Sequence, residues 1–209
     1  MTDIASIKKT KKQPNKGERF MLTNVTLMYV KHSGYGVLEY GEQPVEGKPW
    51  ANHRYECDVL INKDIKKELK SAHKKFGVKE FSEEEFKKTF KIDPPYKADE
   101  YLVAKLYREA YYGGGAKKGE EAPRVTVKDR TGASLEDVGI GNGSVGNVIV
   151  NVTPYDNKFG KGTSMRLGSM QVVDHIEFDL NGGGSDDDEF DYEDYDPEND
   201  EQEDDDWDE

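Results

Sequence analysis

EYLVAKLYREA, residues 100–110, is the stretch of sequence that decides the fold. Successive side chains of a β-strand point to opposite faces of the sheet. On this parity one face is apolar and belongs to the core; it carries Leu102, Ala104 and Leu106. The opposite face mixes aromatic rings with a cation; it carries Tyr101, Val103, Lys105 and Tyr107. The stretch therefore predicts a strand with one side in the core and the other available to a ligand.

Strand patterns occur on both sides of this stretch. Before it, residues 20–30 (FMLTNVTLMYV) are rich in β-branched and aromatic residues, and residues 54–61 alternate apolar with polar positions. After it, strands are predicted over 124–128, 144–153 and 163–178, with Gly-rich turns between them. The chain is therefore predicted to be mainly β.

Two helices are predicted between strands two and three of this series. Residues 64–76 place apolar side chains at helical spacing and lysines on the remaining surface, and Gly77 can supply the C-terminal cap. Ser82 and Glu85 form a capping box, and Phe81 and Phe86 hold the positions of a hydrophobic staple. Strands with helices inserted at this point, and a surface of rings and cations, fit an OB-fold-like barrel.

Charge divides the chain into a basic body and an acidic tail. Of the 43 acidic residues, 17 lie between Asp186 and Glu209, where there is no Lys or Arg, and this leaves 26 acidic against 30 basic residues before them. The tail cannot form a core. We expect a flexible basic arm over 1–17, an OB-fold domain over 18–180, and a Gly-rich joint with a disordered acidic tail over 181–209.

Catalytic and metal chemistry find little support in the sequence. Cys57 is the only cysteine, which excludes an internal disulfide and a zinc site of several thiolates. The four histidines form no close ligand pair, and the Gly-rich residues 139–147 lack the Lys-Ser/Thr ending of a phosphate loop. We expect no catalytic residue, no metal and no cofactor. Since no segment approaches the ~20 apolar residues of a membrane span, we expect no membrane partner either.

The surface of rings and cations is typical of a groove for single-stranded nucleic acid. Any base can stack on an aromatic ring, while Lys and Arg attract the phosphates. For stacking we predict Trp50, Tyr101, Tyr107, Tyr155 and Phe159. For phosphate contacts we predict Lys31, Arg54, Lys105, Lys158, Lys161 and Arg166.

Four strings in this order carry a family resemblance. They are RYECDVLINKD at 54–64, VKDRTGASLEDVGIGNGS at 127–144, VTPYDNKFGKGTSMRLGSMQVV at 152–173 and GGGSDDDEF at 182–190. The chain resembles the replicative single-stranded DNA-binding proteins of tailed bacteriophages over most of its length. The resemblance implies an OB fold with an acidic C-terminal tail, and a protein that coats single-stranded DNA during phage replication, recombination and repair.

Partners and location follow as expectations. The acidic tail is expected to compete with DNA for the groove and to dock DNA polymerase and helicase through its aromatic residues, which are Phe190, Tyr192, Tyr195 and Trp207. The expected location is the cytoplasm of the infected bacterial host, and a homodimer is left open.

Two rival functions remain open at the level of the sequence. The tail alone would suit an acidic chaperone or scaffold that binds basic proteins and no DNA. The acids at Asp58 and Asp64, and at Glu136 and Asp137, would permit a metal-dependent nuclease.

Overall fold

The structure, a computed structural model, describes residues 5–10, 17–157 and 160–178. The chain divides into two units, residues 1–178 and 179–209, and the predicted joint and acidic tail lie outside the described residues. The described residues form nine strands, which are β1 Ser6–Thr10, β2 Glu18–Lys31, β3 Val37–Leu38, β4 His53–Ile61, β5 Lys79–Phe81, β6 Tyr101–Glu109, β7 Val127–Lys128, β8 Val145–Asn157 and β9 Gly160–Asp174. The same residues form two helices, α1 Lys63–Ala72 and α2 Glu83–Phe90.

One sheet contains all nine strands. Its main path runs β5-β6-β4-β2-β8-β9-β7, with β1 added to β2 and β3 added to β4. The predicted mainly β fold, with both helices between its second and third long strands, is confirmed. The sheet is not closed, so the predicted barrel is an open one. The short strand β5, between the two helices, is an addition to the predicted strands.

Two bulges bend β2, the strand that pairs with β1, β4 and β8. Asn24 and Tyr29 have left-handed backbone conformations, with φ of 55° and 47°, and the pairing register shifts at both places. Each bulge adds one residue to the strand. The side chains that β2 contributes to the main core therefore follow a spacing of two, three, two and three residues; they are Phe20, Leu22, Val25, Leu27 and Val30.

Asparagine side chains satisfy the backbone at both bulges. The N–H of Asn24 donates to Asn147 Oδ1 at 3.1 Å, and the N–H of Tyr29 donates to Asn142 Oδ1 at 2.8 Å. A bulged residue leaves the ladder and would otherwise lose a hydrogen-bond partner. The bent strand can then pair with β1 and β4 on one edge and β8 on the other.

Helix α1 covers the core with Ile65 and Leu69, both fully buried. Asn62 caps its N-terminus by accepting the N–H of Ile65 at 2.9 Å. The helix ends at Ala72, earlier than predicted, because the chain turns at His73 and inserts Phe76 into the core. The predicted cap at Gly77 is therefore wrong.

Helix α2 covers a second, smaller apolar cluster on the outer face of the sheet. The predicted capping box of Ser82 and Glu85 is present. Phe86 and Phe90 pack there against four side chains of the strands, which are Met28, Leu60, Tyr101 and Val103. No helix of the described residues is long and apolar enough to cross a membrane.

The N-terminal arm differs from its prediction. Ser6–Thr10 forms β1, antiparallel to β2, in a region expected to be flexible. Ala5 and Ile7 pack against the main core, and Lys9 pairs with Glu18 at 2.6 Å. The lysine-rich composition hid this strand, because charged side chains point outward from an edge strand as readily as from a coil. Likewise, the strand predicted over 124–128 shortens to β7.

Phe86→Ala tests the covering role of α2. The ring is fully buried, so its removal leaves a cavity and should cost ~3 to 5 kcal/mol of unfolding free energy. Lys88→Ala on the same helix is exposed and should change stability by less than about 0.5 kcal/mol. Urea unfolding of both variants measures the difference, and similar losses would contradict the packing.

Candidate nucleic-acid interface

A cleft of about 380 Å³ lies where the sheet fails to close, between β6 and β9. Among the described residues, no strand pairs with the second edge of β6 beyond Val103 or with the second edge of β9 before Met170. The rim carries cations and one ring: Lys75, Lys105, Arg166 and Tyr107. The rest of the lining is mixed: the apolar side chains are Phe76, Leu106, Met165 and Leu167, and the polar ones are His73, Glu109, Thr163 and Ser164.

The end of α1 forms one wall of this cleft. His73 Nδ1 and Thr163 Oγ1 of β9 lie 2.8 Å apart, and the same hydroxyl donates to the carbonyl of Ala72 at 3.4 Å. These contacts fasten the helix terminus to β9. They place Lys75 at the rim, opposite Lys105 and Tyr107.

Tyr107 is the ring that the cleft presents to solvent. It is 42% exposed. The guanidinium of Arg54, on the neighbouring strand β4, lies over the ring at 5.4 Å from its centroid. A cation stacked on an aromatic face holds the ring in place. Lys105 and Tyr107 lie on the outer face of β6, as the strand parity predicts, and Arg54 of β4 lies on the same face.

Tyr101 corrects the sequence prediction. It shares the outer face of β6 with Tyr107, but it is fully buried beneath α2, with Phe86 at 5.3 Å between ring centroids. Its hydroxyl donates to the carbonyl of Tyr96 at 2.9 Å. The predicted stacking of Tyr101 on a base is therefore wrong, because the parity of a strand does not show which part of a face a helix covers.

Carboxylates accompany the cations of this face. Glu56 accepts hydrogen bonds from Arg54 and, at 3.1 Å, from Lys105. Glu39 lies 3.1 Å from Arg54, and Asp58 lies 3.7 Å from Lys105. Arg54 and Lys105 are thus neutralised in the free protein, which the linear sequence did not reveal.

Asp58 is the most constrained of these acids. Its side chain is 13% exposed, and its buried Oδ1 lacks a hydrogen-bond partner among the described residues. Burial raises the pKa of this carboxyl above its ordinary value, and the nearby Lys105 ammonium opposes the rise. The charge of Asp58 therefore destabilises the folded state.

The hairpin of β8 and β9 carries a second group of predicted residues. Tyr155 is 40% exposed, and its ring crosses Gly162 so closely that a Cβ there would lie 2.7 Å from the hydroxyl. Lys161 pairs with Asp156 at 2.8 Å. Arg166, further along β9, lies 3.8 Å from Glu109 and lines the cleft. The predicted Lys158 and Phe159 lie outside the described residues.

Trp50 and Lys31 do not line the cleft. Trp50 is half-buried against the core, 6.3 Å from the ring of Tyr35, and its Nε1 donates to the carbonyl of Gly119 at 3.4 Å. Lys31 is exposed at the end of β2, opposite Glu56 in the pairing with β4. Their predicted contacts with nucleic acid remain predictions.

The acids weighed for a nuclease are not gathered into a metal site. Within residues 5–10, 17–157 and 160–178, no group of three or more His, Cys, Asp or Glu side chains is arranged to hold a metal ion. Cys57 is fully buried, and burial raises the pKa of its thiol. Such a thiol resists forming the thiolate that acts as a nucleophile.

Sequence reasoning missed His73, Lys75 and Met165 as lining residues. The signal for Lys75 was present in the lysines that surround the end of α1. The sequence holds no such signal for His73 and Met165, because their place in the cleft depends on the contact between α1 and β9.

No protein-family model and no curated protein sequence matches this chain. Among solved structures, that of gp2.5, a single-stranded DNA-binding protein encoded by bacteriophage T7, matches 79% of this chain and 96% of its own, with 21% identity and a TM-score of 0.45. The single-stranded DNA-binding protein from bacteriophage Enc34, in complex with single-stranded DNA, matches 82% of this chain and 97% of its own, with 16% identity and a TM-score of 0.40.

The matching proteins are single-stranded DNA-binding proteins of bacteriophages, which is the family that the sequence resembles. Identities of 16 to 21% and TM-scores of 0.40 to 0.45 do not assign a function to this chain.

Asp58→Asn tests the cost of the buried carboxylate. Because the folded pKa is raised, the native state holds more protons than the unfolded state between pH 3.8, the ordinary value, and the folded pKa. The contribution of Asp58 to stability is thus lost as pH rises through that window. Asp58→Asn should raise the melting temperature at neutral pH, and the gain should shrink as pH falls toward 3.8.

Asp129→Asn provides a control for which the expected change in melting temperature has the opposite sign. Asp129 accepts from the hydroxyl of Thr131 and from backbone N–H groups, which lowers the pKa of its carboxyl. This substitution should lower the melting temperature at neutral pH, and the loss should shrink on acidification. A gain from Asp58→Asn that stays constant down to low pH would refute the buried charge.

Proposed function

We propose that this protein binds single-stranded DNA in the cleft between β6 and β9, without sequence preference and without catalysis. The observation that carries this proposal is the exposed ring of Tyr107 at the rim of an open cleft that also holds three cations and one carboxylate, Glu109. A ring beside a groove of positive charge is the combination that a single strand requires.

The chemistry of the cleft favours a single strand over a duplex. Base stacking on a ring contributes ~1 to 3 kcal/mol and needs a free base face, which a duplex does not offer. Leu106 and Leu167 give the cleft an apolar floor, and stacking on a ring accepts any base because every base has a π-face. Binding should therefore depend on strandedness rather than on sequence.

The proposed biological role is to bind single-stranded DNA during the replication of a phage genome. The resemblance in sequence supports a role in phage DNA replication, with recombination and repair as related uses of the same binding. The protein would act in the cytoplasm of the infected host, as a monomer or a homodimer.

The acidic tail is proposed to regulate this site. Its 17 negative charges make it a polyanion like DNA, and attachment to the same chain raises its effective concentration near the cleft. DNA would displace the tail and free it for a basic surface on a polymerase or helicase. The aromatic residues of the tail would then serve as apolar anchors.

A pair of tyrosines on one face of β6 tests the proposed site. Tyr107→Ala should weaken binding of oligo-dT by ~1 to 3 kcal/mol and leave the melting temperature nearly unchanged. Tyr101→Ala, in contrast, should cost ~3 to 5 kcal/mol of stability, as for other buried aromatics, with little effect on DNA affinity while the protein is folded.

Fluorescence titration with oligo-dT and thermal melting separate the two phenotypes. The titration should include Mg²⁺ and end with a gel, since degraded DNA would favour the nuclease. No binding of oligo-dT at low salt would refute the proposal and favour the acidic chaperone. Exchange of the two tyrosine phenotypes would contradict the placement of α2.

Deletion of residues 186–209 tests the proposed regulation. Removing a competing polyanion should tighten DNA binding at low salt, and the gain should shrink as salt rises because both interactions are screened. Unchanged affinity at low salt would eliminate competition. Association with the polymerase should also be lost, and its retention would eliminate docking through the tail.

A further inference from the structure

The cations at the end of α1 differ from the cations of the sheet in their ion pairing. Arg54, Lys105, Lys161 and Arg166 all lie within 4.0 Å of a carboxylate. Lys67, Lys70, Lys74 and Lys75 are exposed and form no ion pair with any of the described residues. Of these four, Lys67 and Lys70 lie on α1, Lys74 and Lys75 lie in the turn after it, and Lys75 lines the cleft.

These lysines follow one another along α1 and the turn after it, and the last of them lines the cleft. Lys67 and Lys70 are three residues apart and share one face of α1. Lys74 and Lys75 follow in the turn that closes at Phe76, whose N–H donates to the carbonyl of His73 at 2.9 Å. His73 is hydrogen-bonded to Thr163 and Lys75 lines the cleft, so the end of α1 is fastened to the wall of the cleft.

We propose that Lys67, Lys70 and Lys74 hold the phosphates of the same DNA strand after it leaves the cleft, so that the bound strand continues along α1. This inference rests on the proposed function and extends the binding site beyond the residues that face β6. We name these three residues the α1 lysine track.

Single-stranded DNA is the occupant that the geometry favours. Lys74, the last residue of the track, is followed directly by Lys75, which lines the same cleft as Tyr107, so one strand can contact the track and the ring. Lysine is a point charge on a flexible stem and suits a backbone of variable conformation. The track offers no ring of its own, so it should contribute charge contacts and no base stacking.

The test uses two lengths of oligo-dT and two triple variants of the full chain. The track variant is Lys67→Gln, Lys70→Gln and Lys74→Gln. The control variant is Lys88→Gln, Lys91→Gln and Lys97→Gln, which removes three exposed lysines on and after α2. The oligonucleotides have about 5 and about 16 nucleotides, which bracket the site sizes of OB folds.

The expected result depends on oligonucleotide length. Each phosphate contact contributes about −0.7 to the slope of log K against log salt. For the longer DNA, the slope of the track variant should therefore be shallower than that of the wild type by about 2. At about 50 mM salt its affinity should fall on the order of 100-fold. The short oligonucleotide, confined to the cleft, should bind nearly as it does to the wild type. A Lys→Arg version of the track should keep both affinity and slope.

Other outcomes overturn the inference in distinguishable ways. Wild-type slope and affinity in the track variant would reject the track and leave the cleft intact. Equal losses in the track and control variants, or equal losses for both oligonucleotides, would show a general effect of net charge. Tighter binding of the longer DNA would show that the track holds the acidic tail. No binding of DNA by the wild type would reject the proposed function as well.

Discussion

The double bend of β2 is the constraint on which the rest of the structure depends. Asn24 and Tyr29 each take a left-handed conformation, and the side chains of Asn147 and Asn142 satisfy their freed N–H groups. Because of the bends, one strand pairs with β1 and β4 along one edge and with β8 along the other. The curved sheet brings β6 and β9 to opposite sides of a gap, and that gap is the cleft.

The outer face of the same sheet is divided by α2. Phe86 and Phe90 occupy the half of the face that carries Tyr101 and Val103, which leaves Tyr107 exposed in the other half. Burial of large apolar side chains contributes ~1.5 to 3 kcal/mol for each one. The helix therefore stabilises the fold and also sets the limit of the surface that a ligand can reach.

Electrostatics separates two kinds of basic residue around the cleft. Arg54 and Lys105 are tied to Glu56 and its acidic neighbours, so a phosphate must compete with carboxylates for them. Such pairs fix the geometry of the site more than they attract DNA from a distance. The lysines at the end of α1 have no such competitor among the described residues, and they dominate the local attraction for a polyanion.

The sequence by itself determined the local features of this protein. Period-two patterns located β4 and β6, the Ser82 and Glu85 pair located the start of α2, and parity assigned Leu106 to the core and Tyr107 to the surface. These features depend on residues that are neighbours along the chain. Only the tertiary structure decided that Tyr101 is covered, that Arg54 and Lys105 are paired, and that His73 joins β9, because each depends on elements distant in sequence. Strand parity gives the face of a residue, but the packing of α2 and the curvature of β2 decide whether that face meets protein or solvent.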